Sequence, residues 1–278
     1  MPSYAIAVRK EIFGEGAERI VSKLRYLDKN HRFKGPKLVA KDTRHVLNKS
    51  QYREQLIFHK TFMRTQAIAS EIAKKFNRDI DALESMFDNS SWSQIVRCLP
   101  RIKFLEPCVT ELWNDEGEAE YYLIEPFLEG RYTKFNSNNG FVQSNQDKDE
   151  SKPAEETTSD FSGHDLIDLL SKKNISSLGL GMIEECDESD EDNSSAHESF
   201  DLKDKYFPQA FSHYTYVKSK KRMMVVDLQG VLDKKLNGCK SYNLTDPVIH
   251  TRTKKCNTQV YNFGRTNRGD KVGACRIT

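Results

Sequence analysis

Val225-Val226-Asp227-Leu228-Gln229-Gly230, followed by Leu244-Thr245-Asp246-Pro247, is the stretch on which the fold turns. A β-branched run that ends in a carboxylate, an amide two residues on, and a second apolar run ending in a carboxylate put hard oxygen atoms at strand ends. Such atoms suit magnesium, and the first carboxylate is a candidate base for a substrate hydroxyl. A single Asp at a strand end is ordinarily a turn former. Two of them gain weight from the residues upstream.

There, Phe13-Gly14-Glu15-Gly16-Ala17-Glu18-Arg19 leads into one strand, and Lys41 closes Leu38-Val39-Ala40-Lys41 on the next. Glycines between strands let backbone N–H groups approach phosphates, and a lysine on the following strand can pair with them. Each feature is common alone; their order is the one a nucleotide pocket needs. Leu123-Ile124-Glu125-Pro126-Phe127-Leu128-Glu129-Gly130 then offers a strand entering a linker, whose backbone can meet an adenine edge. The amides of Asn136, Asn138 and Asn139 could serve phosphate oxygens or hydrated magnesium, or form a plain polar loop. His250 by itself reads as a structural histidine. The glycine segment Gly264-Arg265-Thr266-Asn267-Arg268-Gly269 lacks the Lys-Ser/Thr ending of a P-loop.

Propensity predicts antiparallel strands at 4–8, 19–27 and 37–42, then a helix from Gln51 to about Phe76 on the spacing of Tyr52, Leu56, Phe62, Ile68 and Ile72. Asn77-Arg78-Asp79 is expected to end that helix. Further strands are expected at 101–105 and 121–124, and a hairpin of 214–217 with 223–226 turning at Ser219-Lys220-Lys221.

Between 143 and 204 the chain holds 18 Asp/Glu against 5 Lys/Arg, too polar to offset the entropy of ordering, so this insertion is expected to be disordered apart from a short amphipathic turn at 165–170. The remainder, with 38 Lys/Arg to 23 Asp/Glu, is a basic body suited to an anionic partner. No RRM-type or KH-type pattern accompanies that charge, which argues against nucleic acid. No stretch approaches the length of a membrane span and no apolar signal core opens the chain, so a cytoplasmic protein is expected. Cys98, Cys108, Cys186, Cys239, Cys256 and Cys275 show no CxxC or regular spacing and are expected to be reduced.

FGEGAERIVSKLRYLD, LVAK, FHKTFMRTQAIASEIAKKFN, LIEPFLEGRYTKFNSNNGFV, QAFSHYTYVKSKKRMMVVDLQGV, LTDPVIH and FGRTNRG, in that order from about Ala5 to Gly269, resemble the alpha-kinase family. Ordinary protein kinases fit badly, for the chain has neither an HRD loop nor a DFG motif. The resemblance implies one α+β domain of two-lobed, protein-kinase-like fold over 1–278, with an N-lobe to about 124 and the hinge and C-lobe from 125. It also implies a serine/threonine protein kinase that uses ATP with magnesium and acts on a protein substrate. Carried over, Lys41 contacts ATP phosphates, Glu125 marks the hinge to adenine, Asp227 is base or orienter for the hydroxyl, and Gln229 and Asp246 hold magnesium. Gly14, Gly16, Arg19 and Asn138 complete the nucleotide contacts.

The resemblance also implies a structural zinc, held by His250 and a later His-x-Cys-Asn-x-x-Cys segment. After Gly269-Asp270-Lys271 this chain reads Val272-Gly273-Ala274-Cys275-Arg276-Ile277-Thr278, and Cys256 and Cys275 lack the family spacing. Three of the four ligands are missing, so the zinc site and the C-terminal end are expected to be incomplete. Val272–Thr278 is accordingly expected not to be the natural continuation of a longer kinase. A second reading follows from the same gap: a catalytically impaired or shortened form acting as a nucleotide- or partner-binding module.

Overall fold

In a computed structural model the described residues are 5–16, 18–44, 52–86, 97, 99–113, 117–138, 206–234 and 239–251. The acidic insertion, the segment Gly264–Gly269, Cys256, Cys275 and Val272–Thr278 all lie outside them. The fold is α+β. Strands β1 (Ala5–Glu15), β2 (Arg19–Leu27), β3 (Phe33–Thr43), β5 (Cys108–Trp113) and β6 (Ala119–Pro126) form an antiparallel sheet in the order β1-β2-β3-β6-β5. A second sheet, β4-β10-β9-β7, joins β4 (Arg101–Phe104), β10 (Lys240–Thr245), β9 (Gln229–Lys234) and β7 (Tyr132–Lys134). Strands β8 (Met223–Val226) and β11 (Val248–Thr251) pair as a short antiparallel ribbon.

Helix α1 (Tyr52–Met86) does not stop at Asn77-Arg78-Asp79. The turn-forming side chains are committed elsewhere: Asn77 donates from Nδ2 to the Ile102 carbonyl at 2.8 Å and accepts the Ile102 N–H on Oδ1 at 3.0 Å. Asp79 takes the Tyr214 hydroxyl at 2.9 Å and the Lys218 ammonium at 2.9 Å. The apolar stripe Ala69, Ala73, Phe76, Ile80, Leu83 therefore runs on at helical spacing, buried throughout.

The expected strand at 214–217 is instead part of helix α2 (Tyr206–Lys218). The aromatic and β-branched content of Tyr214-Thr215-Tyr216-Val217 favours strand, but Phe207, Ala210, Phe211 and Tyr214 fall at i, i+3, i+4 and i+7, and all are buried. That face meets Phe76, whose ring lies 5.5, 5.4 and 4.9 Å from those of Phe207, Phe211 and Tyr214. Tertiary packing decides the conformation here. The turn at Ser219-Lys220-Lys221 does form, with Lys220 and Lys221 at positive φ, and it delivers the chain into β8.

Gly230 explains itself in this frame. Its φ is +153°, and a Cβ built on it would sit 2.1 Å from the Asn243 carbonyl oxygen across the β9–β10 ladder. No side chain fits there. Gly230→Ala should therefore cost at least about 3 kcal/mol, the upper end for overpacking, read as a lower urea midpoint; a midpoint within error of wild type would contradict the close approach.

Candidate active site

Cross-strand register assembles one face of the five-stranded sheet. Val21 on β2 stands opposite Lys41 on β3, and Val39 on β3 opposite Glu125 on β6. With two-residue alternation, Arg19, Val21, Lys23, Val39, Lys41 and Glu125 share that face. It forms a wall of a cavity of about 490 Å³. The β1–β2 turn contributes Gly14 and Gly16, the segment after β6 contributes Pro126, Phe127 and Leu128, and Asp227, Gln229, Thr245 and Asp246 arrive from the other sheet.

The inner end of the cavity is a closed charge network. Lys41, 4% exposed, places Nζ 2.5 Å from Glu125 Oε2, 2.8 Å from Asp246 Oδ1 and 2.8 Å from Thr245 Oγ1. Thr245 in turn donates its hydroxyl to Glu125 Oε2 at 2.7 Å. Gln66 of α1 donates to Glu125 Oε1 and to the Leu105 carbonyl, each at 2.8 Å, and accepts the Asp246 N–H at 2.9 Å. Arg19 Nη2 reaches Asp246 Oδ1 at 2.6 Å, and its guanidinium lies 3.9 Å over the Phe62 ring. Two cations and two carboxylates cancel. Burial pushes the Asp246 carboxyl up, but Arg19 and Lys41 outweigh it and hold the group well below the usual carboxylate range. Arg19 Nη1 is buried with no hydrogen-bond acceptor.

Both strand-end carboxylates adopt left-handed backbone, with φ of 58° at Asp227 and 55° at Asp246. This is costly for a non-glycine residue and is tolerated where surrounding contacts over-determine it. For Asp227 those contacts are visible: Lys134 Nζ lies 2.6 Å from its Oδ1, and the next residue, Leu228, gives its N–H to Asn136 Oδ1 at 2.8 Å. Asn136 is buried and spends its amide on Gln209 Oε1 and Ser212 Oγ of α2, each at 3.0 Å.

The pattern that defines the alpha-kinase family matches residues 14–164 and 190–272. This chain belongs to the alpha-kinase family. Eukaryotic elongation factor 2 kinase of Caenorhabditis elegans is 30% identical over 151 residues, which is 54% of this chain and 11% of that protein. Alpha-protein kinase vwkA of Dictyostelium discoideum is 24% identical over 235 residues, 84% of this chain and 24% of that one. The chain thus spans a small part, 11 to 24%, of the length of these relatives. Among solved structures, the inactive alpha-kinase domain of myosin-II heavy chain kinase A complexed with ATP superposes with a TM-score of 0.51 at 22% identity, covering 96% of this chain and 81% of that one. The AMP complex of myosin heavy chain kinase A gives a TM-score of 0.51 at 22% identity, with 96% and 82% covered. These show that the fold is that of an alpha-kinase domain, an atypical protein kinase fold.

Of the alpha-kinase positions singled out in the sequence, Gly14, Gly16, Arg19, Lys41, Glu125, Asp227, Gln229 and Asp246 line the one cavity. Glu125 lies near the end of β6, with its carboxylate against Lys41 Nζ, and Phe127 and Leu128, which follow the strand, line the same cavity. Asn138 does not line the cavity; its carbonyl oxygen is 3.1 Å from His250 Nε2. His250 is buried on β11, and among the described residues no group of three His, Cys, Asp or Glu side chains is placed to hold a metal ion. Asn136, whose amide was a candidate for phosphate or magnesium, is committed instead to Leu228, Gln209 and Ser212, and Phe62, Gln66, Lys134 and Thr245 went unread as site residues. All four lie within motifs that carry the resemblance, but nothing local marks them as site residues, and Phe62 and Gln66 reach the sheet only through the long helix.

Because Asp246 has a lower pKa folded than unfolded, its stabilisation is complete above the unfolded-state value of about 3.9 and vanishes as pH falls through the folded-state value. The stability advantage of wild type over Asp246→Asn in urea titrations should thus be full at about pH 6 and shrink below about pH 4. An advantage that stayed constant on acidification would contradict the Arg19–Asp246–Lys41 contacts.

Proposed function

We propose that this alpha-kinase chain transfers the γ-phosphate of ATP to serine or threonine hydroxyls of a protein substrate. The observation that carries the reading is the convergence of Arg19, Lys41, Asp227, Gln229 and Asp246 on a single cavity whose far wall is the segment after β6. Phosphoryl transfer asks chiefly for positioning and charge neutralisation. Arg19 and Lys41 supply fixed cations for the phosphates, and the unmatched donor Arg19 Nη1 is ready for an anion. The backbone of Glu125 to Leu128 serves the adenine edge.

At the reacting end, Asp227 orients the hydroxyl and receives its proton as the oxygen bonds to the γ-phosphorus and the bond to the β,γ-bridging oxygen breaks, releasing ADP. Lys134, 2.6 Å from Asp227 Oδ1, keeps that carboxylate aimed until the hydroxyl arrives. The donor set fits magnesium: Asp246 is held ionised and Gln229 lines the same cavity, and magnesium takes one or two protein oxygens with phosphates and water making up the rest. When bound, it would neutralise charge on the phosphate oxygens. Structural zinc has no such support among the described residues, and no step uses it.

Radiolabelled phosphate transfer to a mixed protein substrate should be lost by about a hundredfold or more in Asp227→Asn, which preserves size, and reduced in Lys41→Arg, which preserves charge. Equal incorporation by all three proteins would overturn the assigned roles. Nucleotide binding by wild type with no transfer at all would favour the binding-module reading.

A further inference from the structure

Phe13 has no partner in the β1–β2 ladder. Ile12 stands opposite Ser22 and Gly14 opposite Val21, so Phe13 is the extra residue of a β-bulge. A bulge re-aims a side chain that alternation would send elsewhere. Here the ring lines the cavity, with its centroid 5.5 Å from that of Phe127. Lys23, from the same sheet face, holds its ammonium 4.6 Å from the Phe13 centroid and 5.8 Å from that of Phe127. Phe13 is still 52% exposed, an apolar ring kept at the cavity mouth and outside all three buried clusters.

The two rings differ in freedom. Phe127 follows β6, which is interior to its sheet, and its N–H donates to the Lys37 carbonyl at 2.9 Å. Phe13 lies on the edge strand β1, beside Gly14 and Gly16, and a second register shift falls between Val8 and Ile12. Phe127 is thus carried by a strand paired on both sides, and Phe13 by one paired on a single side.

We propose that Phe13 is a positioning residue that closes the base end of the cleft over a bound nucleotide, clasping it against Phe127 beneath the Lys23 ammonium, and so sets how fast nucleotide leaves. This rests on the nucleotide reading above. An aromatic face stacks on a base, and a cation over the ring reinforces its placement. The phosphate end, held by Arg19 and Lys41, is separate from the clasp.

The test is release of a ribose-labelled fluorescent ADP, chased with unlabelled ADP in a stopped-flow instrument, together with calorimetric binding of inorganic triphosphate, which has no base. Phe13→Ala should release ADP roughly tenfold faster, equivalent to about 1.4 kcal/mol. Phe13→Tyr should keep the wild-type rate, and triphosphate should bind wild type and Phe13→Ala equally. Unchanged release in Phe13→Ala overturns the clasp. So does a Tyr variant as fast as the Ala variant, or a parallel loss of triphosphate affinity, which would make Phe13 a general support of the cleft. If wild type binds neither ADP nor triphosphate, the nucleotide reading has failed and the clasp falls with it.

Discussion

Lys41 and Glu125 have side chains only 5% and 1% exposed, with Nζ and Oε2 2.5 Å apart. Taking two such charges out of water costs several kcal/mol per ion, and the pair persists because every remaining valence is met. Gln66 and Thr245 complete Glu125, while Asp246 and Thr245 complete Lys41. Those partners come from β3, β6, α1 and the end of β10, so the pair is where the first sheet, the long helix and the second sheet are tied together. A buried ion pair of this kind is weak evidence for stability and better evidence for one defined arrangement. The arrangement it defines is the inner end of the cleft.

Around that point the chain spends strain where chemistry would need it. Asp227 and Asp246 hold left-handed backbone, one beside Lys134 and the other between Arg19 and Lys41. Asn136 ties the backbone at Leu228 to α2, and α2 is held in turn by Phe76 of α1. The aromatic core therefore bears on the position of Asp227 through a chain of direct contacts, not through proximity alone. Gly230, two residues beyond Leu228, lets β9 and β10 approach closely enough to bring Gln229 and Thr245 side by side.

Much of this was legible in the sequence because it is local. The glycine turn before Arg19, Lys41 at the end of an apolar run, and the Asp-Leu-Gln-Gly and Thr-Asp-Pro motifs each carry their meaning within a few residues. What resisted reading depends on distant partners. Glu125 looks like a linker residue until its carboxylate is seen to meet Lys41 of another strand. Asn77 looks like a helix stop until β4 is seen to use its amide. Residues 214–217 look like a strand until Phe76 supplies the surface that an apolar helical face can cover. In each case an intrinsic preference of about 1 kcal/mol or less yields to packing and hydrogen bonds formed across the fold.

Lys41 and Glu125 form one buried unit on which the cleft is built. A double-mutant cycle by urea denaturation, with Lys41→Met, Glu125→Gln and the pair combined, tests it most directly. Each single change strands a buried charge and should be costly, about 3–5 kcal/mol, whereas the double variant should cost less than the sum by about 2 kcal/mol or more. Additivity within about 0.5 kcal/mol would contradict the claim.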